Sequence, residues 1–162
     1  MSSFGRRPQA GEATPTESES REMALRYLAR RDYSCLELTR KLVQRGVAEE
    51  LAENVVQRLG EAGLVSDERF AEVFARSRVN SAYGPMRIRA ELRQRGVTDA
   101  LIASALQPFE EDWHELARDW VARRHRGALD RKAEARLYRG GTQRGFSHDQ
   151  IMRAIEWLRS AD

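Results

Sequence analysis

Three stretches of this chain repeat one arrangement: LVQRGVAEELAENVV (residues 42–56), LRQRGVTDALIASAL (92–106) and GTQRGFSHDQIMRAI (141–155). Each contains Gln-Arg-Gly followed by an apolar residue, and successive copies lie about fifty residues apart. Similarity at a fixed period of this length is typical of repeat architectures. The sequence therefore predicts one small structural unit built three times in tandem.

Within each copy, the apolar spacing predicts two helices joined at the glycine. In the first copy, Ser34 and Glu37 form a capping-box pattern that starts a helix. Gly46 ends that helix, because glycine adopts the left-handed conformation without the steric cost of a Cβ atom. A Schellman motif at this point brings Val47 into contact with Leu42. In the second copy Leu92, Gly96 and Val97 take the places of Leu42, Gly46 and Val47, and Thr98 starts the next helix.

The third copy departs from this pattern at two glycines. Gly141 stands where the first two copies have leucine, and Phe146 replaces the valine that follows the turn. We predict that the Phe146 ring is buried and fills the volume that the missing leucine leaves. Gly140 and Gly141 each weaken the helix by roughly 1 kcal/mol relative to alanine, so we expect this helix to end early or kink. Ser147 with Gln150 predicts a further capping box.

A third helix is predicted in front of each pair. Apolar spacing places these helices at 21–31, 67–79 and 113–124, the second of them capped by Ser66. No period-two alternation persists, so the predicted fold class is all-α: three tandem three-helix, helix-turn-helix-like repeats in an elongated curved array. The repeats are assigned to residues 21–66, 67–110 and 111–162. The residues predicted to be core include three tryptophans: Trp113, Trp120 and Trp157.

Composition narrows the class of protein further. The 162 residues are 41% hydrophobic and 33% charged, with one cysteine, Cys35. One cysteine excludes an internal disulfide framework, and no apolar run approaches the roughly 18 residues of a membrane span. Residues 1–20 are rich in Ser, Thr, Glu, Gly and Pro, which predicts a disordered tail. We expect a cytoplasmic protein without a membrane segment.

The sequence offers little for catalysis. His114, His125 and His148 lack metal-ligand spacing, and the acidic run 110–112 is interpreted as a solvated linker. No phosphate-binding loop or nucleophile elbow is present, and Cys35 is interpreted as a packing residue. We therefore predict no catalytic residue, no metal site and no cofactor.

Sequence-specific DNA reading is not predicted either, although the units have helix-turn-helix character. A reading helix needs polar side chains that reach base edges, but the first such helix carries Glu49, Glu50 and Glu53, which would repel phosphates. In the second, Asp99, Ala103 and Ser104 offer little to a base edge.

Basic residues instead gather on other helices of repeats two and three. Of the 28 basic residues 26 are arginine, whose planar fork suits phosphate and carboxylate groups. Taken one at a time, each of these residues can be explained as a solvated surface residue that pairs with a nearby acid. As a group they form the candidate surface for phosphate or an acidic partner: Arg87, Arg89, Arg93, Arg95, Arg123, Arg124, Arg126, Arg131, Lys132, Arg136, Arg139 and Arg144.

Three longer stretches carry a family resemblance: ALRYLARRDYSCLELTRKLVQRGV (24–47), SDERFAEVFARSRVNSAYGPMRIRAELRQRGV (66–97) and RGFSHDQIMRAI (144–155). They resemble RecX, the family of regulatory proteins of the RecA recombinase. The resemblance covers residues 21–160, and Gly140-Gly141 departs from the uninterrupted helix usual in the family.

The resemblance implies a non-enzymatic protein that binds RecA and its nucleoprotein filament on single-stranded DNA. Lodged in the filament groove, it would inhibit ATP hydrolysis, strand exchange and the coprotease activity behind the SOS response. It implies a role in homologous recombination and DNA repair. The expected state is a monomer, with weak contact to single- or double-stranded DNA as a further possibility.

Two other functions remain open on the sequence. The first is a sequence-independent DNA-binding helical module that acts without a recombinase partner. The second is a metal-dependent nuclease that uses the acidic run 110–112.

Overall fold

Nine α-helices and one short 3₁₀ helix make up the regular structure of residues 13–161, the part of the chain that the computed structural model describes. No strand occurs in this range, so the all-α prediction is confirmed. The α-helices are α1 (Glu17–Arg30), α2 (Cys35–Gln44), α3 (Glu49–Glu61), α4 (Asp67–Asn80), α5 (Pro85–Gln94), α6 (Asp99–Leu106), α7 (Trp113–Arg124), α8 (Arg131–Arg144) and α9 (His148–Ser160). The 3₁₀ helix is Gln107–Phe109.

The first helix begins earlier than predicted. We expected it to start at residue 21, but α1 starts at Glu17. Thr16 supplies the reason, because its side chain accepts a hydrogen bond from the Glu19 backbone N–H at 3.2 Å and so caps the helix. Ser20 is fully buried and donates from its hydroxyl to the Thr16 carbonyl. Residues 1–12 of the predicted tail lie outside the described residues.

The described residues form two compact units. Of these residues, the first unit contains 13–70 together with Arg95–Val97, and the second contains Ala71–Gln94 together with 98–161. The units cut across the predicted repeat boundaries, because the chain returns to the first unit at the turn formed by residues 95–97.

Each unit has its own apolar core. In the first, α1, α2 and α3 bury a cluster that includes Ala24, Leu38, Leu42, Val56 and Leu59. In the second, α7, α8 and α9 bury Ala117, Val121, Leu137, Phe146 and Ile151. Most positions of the predicted apolar stripes are therefore core positions.

A few predicted core residues lie at the surface instead. Leu25 in α1 and Val73 in α4 are 36% and 42% exposed. Trp113 and Trp120 are buried as predicted, but Trp157 is 36% exposed. The Arg118 guanidinium lies 5.8 Å from its ring centroid, a cation–π distance. Trp157 is amphipathic enough to cover a helix surface without entering the core.

Both predicted capping boxes are present. Ser34 Oγ accepts from the Glu37 N–H at 3.2 Å, and Glu37 Oε1 accepts from the Ser34 N–H at 3.1 Å. The Ser147–Gln150 pair makes the same two bonds at 3.1 and 2.8 Å. The smaller caps at Thr98 and Ser66 are also formed.

The first repeat's turn has the predicted Schellman geometry. The Val47 N–H donates to the Leu42 carbonyl at 3.1 Å, and the Gly46 N–H donates to the Val43 carbonyl at 3.0 Å. Gly46 has a φ of 96°, in the region that favours glycine. The corresponding bonds from Phe146 and Gly145 form in the third repeat, at 3.0 Å each.

Helix α8 is not interrupted at its two glycines, so the prediction of an early end is wrong. It runs through Gly140 and Gly141 to Arg144, because both glycines make room for core side chains. A Cβ on Gly141 would lie 2.5 Å from Ile151 Cγ1, and one on Gly140 would lie 2.9 Å from the Trp120 ring. Phe146 is buried as predicted, at 1% exposure. The space beside Gly141, however, is taken by Ile151 and Trp120.

Within the first unit, a glycine turn docks on the start of α2. The Ser34 hydroxyl donates to the Arg95 carbonyl at 2.7 Å. Gly96 lies so close to Leu36 that a Cβ atom on the glycine would be 2.7 Å from Leu36 Cβ.

Within the second unit, an equivalent turn docks on the start of α5. The Gly84 N–H donates to the Arg144 carbonyl at 2.7 Å, and the Met86 N–H donates to the Gly145 carbonyl at 2.9 Å. A Cβ atom on Gly145 would lie 2.5 Å from the backbone nitrogen of Arg87. In both units the carbonyl before the turn glycine is the acceptor, so the repeated glycine is a docking point as well as a helix stop.

We expect Ser34→Ala to destabilise the fold more than Ser147→Ala. Both changes remove a helix cap, which costs about 1 kcal/mol. Only Ser34→Ala also removes the hydrogen bond to the Arg95 carbonyl, whose loss costs about 0.5–1.5 kcal/mol more. Urea unfolding followed by circular dichroism measures the two free energies. Equal losses would show that the Ser34–Arg95 bond contributes nothing.

We expect Gly145→Ala to destabilise by about 2–4 kcal/mol, from left-handed backbone strain and overpacking against Arg87. The matched control is Gly63→Ala. Gly63 also has a positive φ, of 73°, but a Cβ there meets no atom within 4 Å, so it should lose only about 1–2 kcal/mol. The measurement is again the free energy of unfolding in urea. A loss at Gly145 no larger than the loss at Gly63 would contradict the docking role.

Candidate anion-binding site

The structure separates the twelve predicted surface residues into groups with different surroundings. Arg87 and Arg144 both lie against the Tyr83 ring, with guanidinium carbons 4.5 and 4.6 Å from its centroid. Arg87 also donates to the Gln143 carbonyl, and Arg144 donates to the Ser81 carbonyl, both at 3.1 Å. These two arginines hold the second unit's glycine turn in place.

Three further arginines belong to ion pairs. The pairs are Arg89–Glu110 at 3.7 Å, Arg93–Asp99 at 2.9 Å and Arg95–Glu37 at 3.9 Å. The first two pairs are exposed and add little stability, but all three carboxylates reduce the positive potential that these arginines present to a partner.

Four of the predicted residues line one cavity of about 440 Å³: Arg124, Arg126, Arg136 and Arg139. His125, Gly140 and Gln143 complete its polar part, and Ala133 and Leu137 form its apolar wall. Among the described residues that line it, none carries a carboxylate. Within residues 13–161, no ion pair involves any of the four arginines.

Two helices and the segment between them place these side chains. Arg124 is the last residue of α7, and Arg126 follows it in the connection to α8. Arg136 and Gly140 are four residues apart and so share a face of α8. His125 Nε2 lies 2.7 Å from the Gly127 carbonyl oxygen, which ties the ring to its own loop.

Helix electrostatics gives Arg124 a structural role as well. It lies in the last turn of α7 with Arg123, where a positive charge stabilises the helix dipole. This interaction with the helix dipole explains the basic residues at the end of α7. It does not explain Arg136 and Arg139, which lie in the middle of α8.

The three remaining predicted residues do not join this cavity. Arg123 lines a separate cavity beside Asp119 and Trp120. Arg131 lines another, which includes Glu134, and Lys132 is exposed on α8. The structure thus brings together four of the twelve.

A second basic cavity was missed by the sequence reasoning. Its volume is about 210 Å³, and its lining includes Arg26, Tyr27, Arg30 and Arg45. Arg45 Nε donates to the Tyr27 hydroxyl at 2.9 Å. Residues 21–67 have no net charge, so composition concealed the cluster. The available signal was the four-residue spacing of Arg26 and Arg30.

Cys35 does not have the surroundings of a nucleophile. Burial, together with the negative charge of Asp67, raises the pKa of its thiol to about 11, so it is protonated at neutral pH. Its backbone N–H donates to Asp67 Oδ1 at 2.8 Å, which anchors the start of α2.

Residues 13–161, the described part of the chain, contain neither a metal-binding cluster nor a membrane-spanning helix. No group of three or more His, Cys, Asp or Glu side chains is arranged to hold a metal ion, and this includes the acidic run 110–112. No helix in this range is long and apolar enough to span a membrane.

Comparison with protein families matches all three repeats. Residues 21–59 match the first three-helix domain of RecX, residues 66–106 the second and residues 110–155 the third. The second and third ranges each begin one residue before the repeat assigned to them from the sequence.

Curated proteins named "Regulatory protein RecX" are similar over most of the chain. The protein of Stenotrophomonas maltophilia strain K279a is 44% identical over 159 residues, covering 94% of this chain and 92% of its own. That of Chromohalobacter salexigens is 43% identical and covers 89% and 92%. That of Pseudomonas putida strain GB-1 is 44% identical and covers 83% and 88%.

Solved structures agree with the fold. A crystal structure titled as regulatory protein RecX superposes with a TM-score of 0.78 at 28% identity, covering 86% of this chain and 73% of that one. RecX from Lactobacillus salivarius superposes with a TM-score of 0.71 at 24% identity, covering 88% and 96%, and this likeness concerns the fold alone. With three matched domains and relatives above 40% identity, this chain belongs to the RecX family of regulatory proteins.

Proposed function

We propose that this protein binds the RecA recombinase and its filament on single-stranded DNA. Bound there, it inhibits ATP hydrolysis, strand exchange and coprotease activity, and so modulates homologous recombination and the SOS response. The observation that carries this proposal is membership of the RecX family across all three domains. The protein acts by binding and catalyses no reaction of its own.

Repetition supports a polymeric partner. Three similar domains on one chain supply several weak contacts that are covalently linked. A first contact raises the effective concentration of the second, so the affinity for a filament exceeds the affinity for a single subunit without any single strong contact. A cytoplasmic monomer is sufficient for this mode of binding.

The carboxylate-free cavity of α7 and α8 is the part of the basic surface best suited to the filament. Its four arginines form no ion pair within residues 13–161. The positive charges of Arg89 and Arg93, by contrast, are offset by the carboxylates of Glu110 and Asp99. Long-range attraction depends on unneutralised charge. Both groups belong to the proposed filament-facing surface, with the cavity contributing more.

The test compares two double charge reversals, Arg136→Glu with Arg139→Glu and Arg89→Glu with Arg93→Glu. Each alters the net charge by the same amount, so a general charge effect cancels. We expect the first variant to raise the concentration for half-maximal inhibition at least about tenfold and the second to raise it less. The assay is RecA ATPase on single-stranded DNA, with circular dichroism to confirm folding.

Two results of that assay would contradict the proposal. If the unaltered protein leaves the ATPase unchanged, the inhibitory function is wrong. If it inhibits and the Arg136/Arg139 reversal inhibits equally well, the function stands but the surface is wrong.

The second candidate is a DNA-binding module that acts without RecA, and the absence of carboxylates in the cavity lining favours it. Such a module would bind DNA alone with a steep salt dependence, since each neutralised phosphate of duplex DNA contributes about −0.9 to the log–log slope. Tight binding of this kind together with an unchanged ATPase would favour it over the RecA regulator.

A further inference from the structure

One arginine recurs at the end of the first helix in all three repeats. A fully buried alanine marks the register of that helix: Ala24 in α1, Ala71 in α4 and Ala117 in α7, each 0% exposed. Seven residues after each alanine stands an arginine: Arg31, Arg78 and Arg124.

In the first two repeats, a carboxylate from the second helix neutralises this arginine. Arg31 lies 3.6 Å from Glu37 of α2, and Arg78 lies 2.7 Å from Glu91 of α5. Burial opposes the ionisation of Glu91, but hydrogen bonds from Arg78 and Arg87 outweigh it and lower the pKa of that carboxyl group. Glu91 is therefore ionised at neutral pH.

The third repeat lacks both acids. When the helices are aligned on Gly46, Gly96 and Gly145, the position of Glu37 is occupied by Arg136 and that of Glu91 by Gly140. At the first position a basic side chain therefore replaces the acid, and at the second position glycine leaves no side chain at all. Both replacements line the 440 Å³ cavity with Arg124.

This exchange has an electrostatic consequence. Guanidinium groups around one cavity repel one another when no acid separates them, and an anion relieves that repulsion. Arg126 and Arg139 add two more such groups. The volume lies within the roughly 300–1,000 Å³ typical of small-molecule sites, which exceeds the space that a single small ion needs.

We propose that this cavity is a binding site for a chain of linked phosphates, such as triphosphate, either free or carried by a nucleotide. Arginine forks bind phosphate oxygens bidentately, and a linked chain concentrates several negative charges within one cavity. Single-stranded nucleic acid is less well matched, because its binding sites combine basic grooves with aromatic stacking surfaces. The only ring among the described lining residues is that of His125.

The experiment is isothermal titration of the full chain with sodium triphosphate, without RecA or DNA. We expect one binding site whose affinity falls as sodium chloride is added. Arg124→Gln with Arg136→Gln should weaken binding at least about tenfold, because it removes two charge-assisted contacts. Arg89→Gln with Arg93→Gln is the matched control, since it removes the same charge outside the cavity and should leave binding within about twofold.

Further arms identify the source of the phosphates. Equal affinity for adenosine triphosphate shows that the phosphate chain alone is recognised, and higher affinity shows that a nucleotide is the ligand; both support the proposal. Absence of triphosphate binding overturns it, as does equal weakening by the control variant. Binding of a thymidine oligonucleotide that triphosphate does not displace also overturns it and assigns the cavity to DNA. None of these readouts depends on the proposed inhibition of RecA.

Discussion

The close approach of a glycine turn to the start of a preceding helix is the constraint on which this fold depends. In the first unit, Gly96 packs on Leu36 while the Ser34 hydroxyl donates to the Arg95 carbonyl. In the second, Gly145 packs on Arg87, and the Gly84 N–H donates to the Arg144 carbonyl. A side chain on either turn glycine would occupy the volume of its partner. One structural solution is thus used twice, once with a side-chain donor and once with a backbone donor.

This docking also explains how such small repeats persist. A repeat of about 45 residues buries too little apolar surface to be stable in isolation. In repeat proteins much of the stability comes from the interfaces between neighbouring repeats. The glycine turn supplies hydrogen bonds at the interface, and the adjoining Val97 and Phe146 are 4% and 1% exposed. The hydrogen bonds of the backbone and the burial of apolar side chains therefore occur at the same place.

Charge, by contrast, is distributed differently in the three repeats. The recurring arginine at the end of the first helix is paired with Glu37 in one repeat and with Glu91 in the next. In the third it lines an open cavity together with Arg136 and Gly140. The shared scaffold thus leaves one repeat with unneutralised charge, while the other two use the same arginine for internal ion pairs. The three repeats thus share one arrangement of helices and differ in charge at a few surface positions.

The helical repeats, their caps and their turns could be predicted from the amino-acid sequence, because these features depend on local patterns. Ser34 and Glu37 are three residues apart, and Leu42, Gly46 and Val47 lie within one stretch of six residues. Which arginines converge, and which already pair with an acid, depends on how the helices pack wherever the partners are distant in the chain. Arg95 meets Glu37 across 58 positions, and Gly141 accommodates Ile151 from another helix. Helical periodicity specifies the face on which a residue lies, but the neighbour that this face meets depends on how the helices pack.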